Sequence, residues 1–203
     1  MIIKDNFVLN YHPSPERRFL NTTNMKGIII YRSKYGATSQ YAAWLSAALN
    51  IPAVAQQQLS RDQLASAGYV ILGSPIYMGK LLMRKWLQRQ EAALAGKQLF
   101  LYLVTATKPD KVEKLQGYIR LNVPPGIRSN CRCFFFPGKI IYRQLSLADK
   151  MKVKTGSLLA RLMHKKLDVS EFNNVDEAHI QELVQDIARF TGASGGKFMI
   201  QAS

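Results

Sequence analysis

The chain has 203 residues, of which 47% are hydrophobic, and this length favours one domain around one core. Lys and Arg number 28 against 13 Asp and Glu, and the formal net charge of +15 predicts an anionic partner such as nucleic acid, lipid head groups or a polycarboxylate. No run of apolar residues is long enough for a membrane-spanning helix, and the three histidines and two cysteines show no metal-ligand spacing.

The cysteines, Cys131 and Cys133, are expected to be free. Residues two apart on a strand point to the same face and are badly placed to bridge each other. Free thiols are typical of a reducing compartment, so we expect a cytoplasmic protein. Residues 1–24 are too polar for a signal peptide, and we expect them to form a loosely ordered extension ahead of a single domain at 25–203.

Apolar runs and segments with helical periodicity alternate along the rest of the chain. Continuous apolar runs predict strands buried on both faces at 27–31, 69–73, 99–104 and 131–136. A weaker run at 52–55 predicts an edge strand. Helical spacing predicts helices at about 38–49, 81–94, 110–121 and 175–190. This order predicts an α/β doubly wound sheet with helices on both faces, whose ligands bind at the carboxyl ends of the strands.

The loop after the first predicted strand, residues 33–39, consists mainly of small and hydroxyl residues and leads directly into a helix. Free backbone N–H groups and the helix dipole favour an anion at such a point, and Gly36 allows close approach of the backbone. The loop matches neither the dinucleotide-binding nor the P-loop glycine motif. Taken alone, it is equally typical of an ordinary helix N-cap.

A second loop, residues 73–80, leaves the next buried strand and carries a proline, a tyrosine and a methionine before a glycine. Such a loop can lay an apolar wall and backbone hydrogen-bonding groups along a flat heterocycle. A third loop, residues 105–108, ends at the same predicted edge of the sheet. Alone, the second loop indicates only a turn. Together with the first loop, about forty residues upstream, it becomes a specific indication of a ligand site.

On these three loops, over about residues 25–191, the chain resembles the flavodoxin superfamily. The resemblance implies five parallel strands in the order 2-1-3-4-5, a basic insertion after strand 5, and FMN as the cofactor. Residues that match the phosphate loop are Ser33, Lys34, Tyr35, Gly36, Ala37 and Thr38. Residues that match the two ring-binding loops are Ser74, Pro75, Ile76, Tyr77, Met78 and Gly79, then Thr105, Ala106, Thr107 and Lys108. For Tyr77 and Met78, plain packing is the alternative role.

Within the superfamily, the chain is most similar to the branch that contains menaquinone-dependent protoporphyrinogen dehydrogenase. The motifs are residues 33–38, the Lys-Pro-Asp at 108–110, and the insertion that begins at 136–142. The resemblance implies no catalytic side chain, because the flavin N5 takes a hydride from a reduced substrate and the electrons pass on to a quinone. Lys139 and Arg143 are candidates to bind the carboxylates of a porphyrinogen, with solvated surface charge as the alternative.

Two other function classes stay open. One is a flavodoxin-type electron carrier without turnover of its own. The other, favoured only by the net charge and by the aromatic run at 134–136, is a nucleic-acid-binding module; we expect no nucleic acid, because the rings lie in a predicted buried strand.

The insertion contains a basic segment. Residues 139–166 hold eight Lys or Arg and one acid, Asp149, and apolar residues recur there near helical spacing. Such a segment at 145–166 can lie on the anionic inner face of a membrane, where menaquinone would be reached, or it can pack on its own domain.

Overall fold

The computed structural model describes residues 8–9, 25–151, 155 and 171–192. The strands are β1 (Val8–Leu9), β2 (Gly27–Tyr31), β3 (Ala53–Ala55), β4 (Tyr69–Tyr77), β5 (Lys80–Leu81), β6 (Gln98–Thr105), β7 (Cys131–Pro137), β8 (Lys139–Ile140) and β9 (Phe172–Asn173). The helices are α1 (Ala37–Leu49), α2 (Arg61–Ser66), α3 (Arg84–Arg89), α4 (Glu91–Leu94), α5 (Val112–Asn122), α6 (Pro125–Arg128), α7 (described for residues 147–151) and α8 (Gln181–Thr191).

The main sheet confirms the predicted strand order. Its five parallel strands run β3-β2-β4-β6-β7, with the weak strand β3 at one edge as expected. At the other edge, β1 pairs antiparallel with β7, and Val8 lies opposite Phe134. No sequence pattern predicted this pairing. The other residues of the predicted 1–24 extension lie outside the described residues.

The sheet carries an apolar core on each face. Along β4, Val70 and Leu72 face one core, whereas Tyr69 and Ile71 face the other. Helices α1 and α8 cover the second core, and α2, α3 and α4 contribute to the first. The period of two along a strand therefore buries both sides of the sheet, which explains the continuous apolar runs.

The prediction of one helix at 81–94 was wrong. The chain instead continues β4 through Tyr77, turns at Met78 and Gly79, and returns as β5 before two short helices begin. Both turn residues have positive φ, 51° and 74°. Two consecutive positive φ values are characteristic of the tight turns that join antiparallel strands, and they fold Lys80 and Leu81 back onto the end of β4.

The cysteines Cys131 and Cys133 are free and buried, as predicted. Of the basic segment 145–166, the structure describes residues 145–151 and 155, and the rest of that prediction lies outside the described residues. No helix among the described residues is long and apolar enough to cross a membrane.

Candidate functional site

A cavity of about 470 Å³ opens where the predicted ligand-binding loops meet. It lies at the carboxyl ends of the central strands, as expected for a doubly wound sheet, and its volume lies within the usual range for small-molecule sites. The segment after β7 closes one side of it. Predicted cofactor residues that line it are Lys34, Tyr35, Ala37, Thr38, Pro75, Ile76, Tyr77, Met78, Thr105 and Ala106.

The phosphate loop presents the start of α1 to this cavity. Gly36 is the N-cap at φ 83°, no side chain caps the helix, and its first turn contains no acid. The loop is stabilised by its own hydroxyls, since Gly36 N–H donates to Ser33 Oγ (3.2 Å) and Ser39 Oγ donates to the Gly36 carbonyl (2.9 Å). The first backbone N–H groups of α1, which have no partner within the helix, are therefore available to an anionic ligand.

A hydrogen bond from the sheet fixes the first turn of α1. The buried hydroxyl of Tyr102 donates to the Thr38 carbonyl at 3.1 Å. Burial raises the pKa of Tyr102 well above its usual value, so the phenol stays protonated as a donor. Tyr41 on the same helix donates to the Pro137 carbonyl at 2.9 Å. These two bonds set the position of the helix N-terminus relative to β6 and β7.

Two lysines bring positive charge to the phosphate loop. Lys139 on β8 places its Nζ 3.7 Å from the position that a β-carbon on Gly36 would occupy. Lys34 places its Nζ 3.8 Å from the centre of the Tyr77 ring and 2.5 Å from Asp149 Oδ2. Partial burial opposes the charged form of Lys34, but hydrogen bonds with Asp149 and Tyr77 outweigh it and raise the pKa of the ammonium.

Asp149 joins two of the loops. Its carboxylate accepts hydrogen bonds from Lys34, Tyr35 and Tyr77, and only 4% of the side chain is exposed. The bond from Lys34, followed by those from the two phenols, holds the pKa of Asp149 well below its usual range. The carboxylate is therefore ionised at neutral pH.

Apolar side chains form the walls of the cavity beyond the lysines. The β4–β5 hairpin supplies Pro75, Ile76, Tyr77 and Met78. Facing segments supply Val104, Ile140, Ile141, Leu145 and Phe172. Such walls suit a flat, largely apolar ring whose anionic tail reaches the start of α1.

Several predicted cofactor residues do not line this cavity. Ser33, Gly36 and Gly79 shape the loops, and the buried Ser74 accepts a hydrogen bond from Met83 N–H through its Oγ at 3.2 Å. Of the two predicted substrate residues, Lys139 lies in the cavity. Arg143 is exposed and lines neither this cavity nor a smaller second cavity that adjoins it.

A second cavity of about 290 Å³ adjoins the first. Thr107 and Lys108, predicted as cofactor residues, line this second cavity together with Phe135 and His179. The residues common to both cavities are Thr105, Ala106, Gly138 and Phe172. A molecule in the second cavity would therefore lie beside the ligand of the first.

Apart from Lys139, sequence reasoning missed the part of the site that comes from the insertion. Asp149 had one usable signal, because it is the lone acid among the basic residues of 139–166. The apolar residues of the segment gave no signal, since their contribution depends on how the chain returns over the loops.

The family model of the flavodoxin domain matches residues 28–161, which is more than half of the chain. The chain belongs to the flavodoxin domain family. Among curated protein sequences, none matches it.

Solved flavodoxin structures resemble the chain distantly. An archaeal flavodoxin is 18% identical, with a TM-score of 0.40 over 69% of this chain and 99% of that one. The two-electron reduced flavodoxin of Megasphaera elsdenii is 19% identical, with a TM-score of 0.39 over 48% of this chain and 79% of its own. Flavodoxin 2 of Bacillus cereus is 16% identical, with a TM-score of 0.36 over 68% of this chain and 97% of that one. Likeness at this level supports no functional argument.

Membership of the flavodoxin domain family implies FMN as the cofactor, and the residues present fit it. The uncapped start of α1, with Lys139 beside Gly36, suits the phosphate. The apolar walls around Tyr77 suit the ring system. The carboxylate of Asp149 is the one acid that lines this cavity among the described residues.

The aromatic run at 134–136 is part of the core. Phe134 and Phe136 are buried, and Phe136 stacks on Tyr102 with ring centres 5.3 Å apart. These two rings are therefore not available to stack on nucleic-acid bases, and the run gives the nucleic-acid interpretation no support.

Proposed function

We propose that this flavodoxin-family protein is an FMN-dependent oxidoreductase that passes electrons from a reduced substrate to a quinone. The observation that carries the proposal is the pair of adjoining cavities at one edge of the sheet. A pure electron carrier requires only a cofactor cleft, whereas an enzyme requires room for a reactant beside it. Bound FMN would supply the two-electron chemistry, and the protein would supply binding, orientation and charge.

The second cavity suits a largely apolar reactant with a negative substituent. Phe135, Leu115 and Pro109 contribute apolar surface, and Lys108 contributes a cation. A protoporphyrinogen-like substrate, with an apolar macrocycle and two propionates, has this chemistry. Arg143 remains a candidate for a propionate because it is exposed near the cavities, on the turn after β8. Lys139 is better placed for the phosphate, because its ammonium lies beside the phosphate loop.

The experiment is an anaerobic stopped-flow measurement on protein reconstituted with FMN. Bleaching of the flavin absorbance by protoporphyrinogen, and its return on mixing with menadione, would support the enzyme. A flavin that binds but exchanges electrons only with one-electron partners would indicate the carrier instead. Lys108→Ala should slow the bleaching about tenfold. The matched variant Lys26→Ala, which removes an exposed lysine at the amino end of β2, should leave it unchanged.

We also propose that the basic segment 145–166 holds the protein reversibly on an anionic membrane surface. In its described part, Leu147 and Met151 lie one helical turn apart and expose 80% and 69% of their surface. Lys150 lies between them. Each lysine near anionic lipid contributes about 1 kcal/mol, and exposed apolar side chains add insertion into the interface.

Flotation with lipid vesicles tests the membrane proposal. The protein should float with vesicles rich in anionic lipid and stay behind with zwitterionic ones. The double variant Leu147→Ser, Met151→Ser should lose most of this binding, whereas Leu121→Ser, which removes an equally exposed leucine from α5, should keep it. Equal loss in both variants would contradict the assignment of the segment.

A further inference from the structure

Asp149 lines the cofactor cavity, where its carboxylate is paired with a lysine of the phosphate loop. Its Oδ2 is 2.5 Å from Lys34 Nζ and also accepts the Tyr35 hydroxyl, and its Oδ1 accepts the Tyr77 hydroxyl. Two of these partners belong to the phosphate loop and the third to the hairpin beside it. One carboxylate thus connects the two sides of the cavity.

The carboxylate and the phosphate of FMN would draw on the same cation. Lys34 lines the same cavity as Ala37 and Thr38, the first residues of α1. A phosphate at this helix start would bring about two negative charges into the cavity that the carboxylate of Asp149 also lines. Repulsion between the two anions, in a cavity with largely apolar walls, would oppose their simultaneous binding to Lys34.

Within residues 145–151, Asp149 is the one buried residue. Leu145 lines the cavity, but Leu147 and Met151 on either side of Asp149 face solvent. Within the turn, the N–H of Asp149 donates to Ser146 Oγ at 3.2 Å, so the carboxylate is oriented by its own segment. Releasing the carboxylate from the loops would therefore free this side of the cavity.

We propose that Asp149 determines how strongly the site selects for a phosphate: its carboxylate binds Lys34 while the site is free, and the phosphate of the entering flavin replaces it. Residues 145–151 then move away from the phosphate loop. The inference rests on FMN binding in this cavity. Binding of the cofactor would thus displace a competing carboxylate and move part of the insertion.

The first test compares flavins with and without a phosphate. FMN and riboflavin are titrated by fluorescence quenching into wild type, Asp149→Asn, and the control Asp62→Asn, which changes an exposed aspartate on α2. Asp149→Asn should bind FMN at least fivefold tighter, with less than a twofold change for riboflavin, and Asp62→Asn should match wild type. Unchanged or weaker FMN binding, or an equal gain for both flavins, would overturn the inference.

The second test needs no variant. Hydrogen exchange of the wild-type amides at 145–151 should become faster when FMN is added, and riboflavin should have a smaller effect. Slower or unchanged exchange with bound FMN would mean that Asp149 stays in place, which overturns the inference and leaves the cofactor assignment intact. Failure of wild type to bind FMN at all would instead overturn the cofactor assignment, and the inference with it.

Discussion

The ammonium of Lys139 lies 3.7 Å from the point that a β-carbon on Gly36 would occupy. The two residues come from distant parts of the sequence, one from β8 and the other from the loop before α1. Their proximity places a cation directly at the start of a helix that has no side-chain cap. The positive end of α1 and Lys139 therefore act on the same anion.

Replacing Lys139 by alanine should weaken FMN binding about tenfold, because one charge-assisted contact to the phosphate is worth roughly 1.5 kcal/mol. Riboflavin binding should change little. The control is Lys26→Ala, which removes the same charge from an exposed site at the amino end of β2, far from the carboxyl ends that form the cavity. Paired flavin titrations measure both effects, and equal losses for FMN and riboflavin would contradict a role at the phosphate.

Gly73→Ala should destabilise the fold by about 3 kcal/mol or more. A β-carbon on Gly73 would lie 2.1 Å from the ring of Tyr102, which is fully buried and cannot move aside without breaking its bond to Thr38. Gly117→Ala is the matched control. It lies within α5 with nothing within 4 Å of its β-carbon, and should stabilise by about 0.5–1 kcal/mol. Urea unfolding followed by circular dichroism gives both values.

The contribution of Asp149 to stability should depend on pH only in acid. Because the folded state lowers the pKa of Asp149, its contribution is complete above the unfolded pKa of about 3.9 and is lost as the pH falls through the folded value. The raised pKa of Lys34 acts in the opposite sense, and that contribution is lost only as the pH rises through the folded value, above 10.5.

The measurement is the difference in free energy of unfolding between wild type and Asp149→Asn. We expect this difference to stay constant from about pH 5 to pH 9 and to shrink below about pH 4. A difference that stays constant or grows as the pH falls below about 4 would mean that the pKa of Asp149 is not lowered in the folded state.

The ion pair between Arg132 and Asp186 should stabilise the packing of α8 on β7. Their side chains meet at 2.6 Å and are 33% and 17% exposed. Partial exposure limits the effect, so Asp186→Asn should cost about 1 kcal/mol of unfolding free energy. Asp110→Asn breaks a pair with the adjacent Lys111 at 3.1 Å that is 62–64% exposed, and should cost nothing measurable. Urea unfolding of both variants tests the contrast.

Local patterns determined the frame of this protein. Continuous apolar runs identified four of the five parallel strands, because a strand covered on both faces has no polar side, and a weaker apolar run identified the edge strand β3. Parallel strands bring the loops after β2, β4 and β6 to one edge, and this rule located the cavity. Free cysteines also followed from spacing alone, since Cys131 and Cys133 lie on the same side of β7.

The tertiary structure decided what closes the site. Tyr35 and Asp149 are 114 residues apart in the chain yet share a hydrogen bond, and Lys139 reaches Gly36 across a similar separation. Such contacts depend on the path of the segment after β7. Helical spacing within that segment does not show where the segment packs, so the sequence could not predict these contacts. The sequence therefore determined the sheet and its binding edge, whereas the charges that face one another across that edge were set by long-range folding.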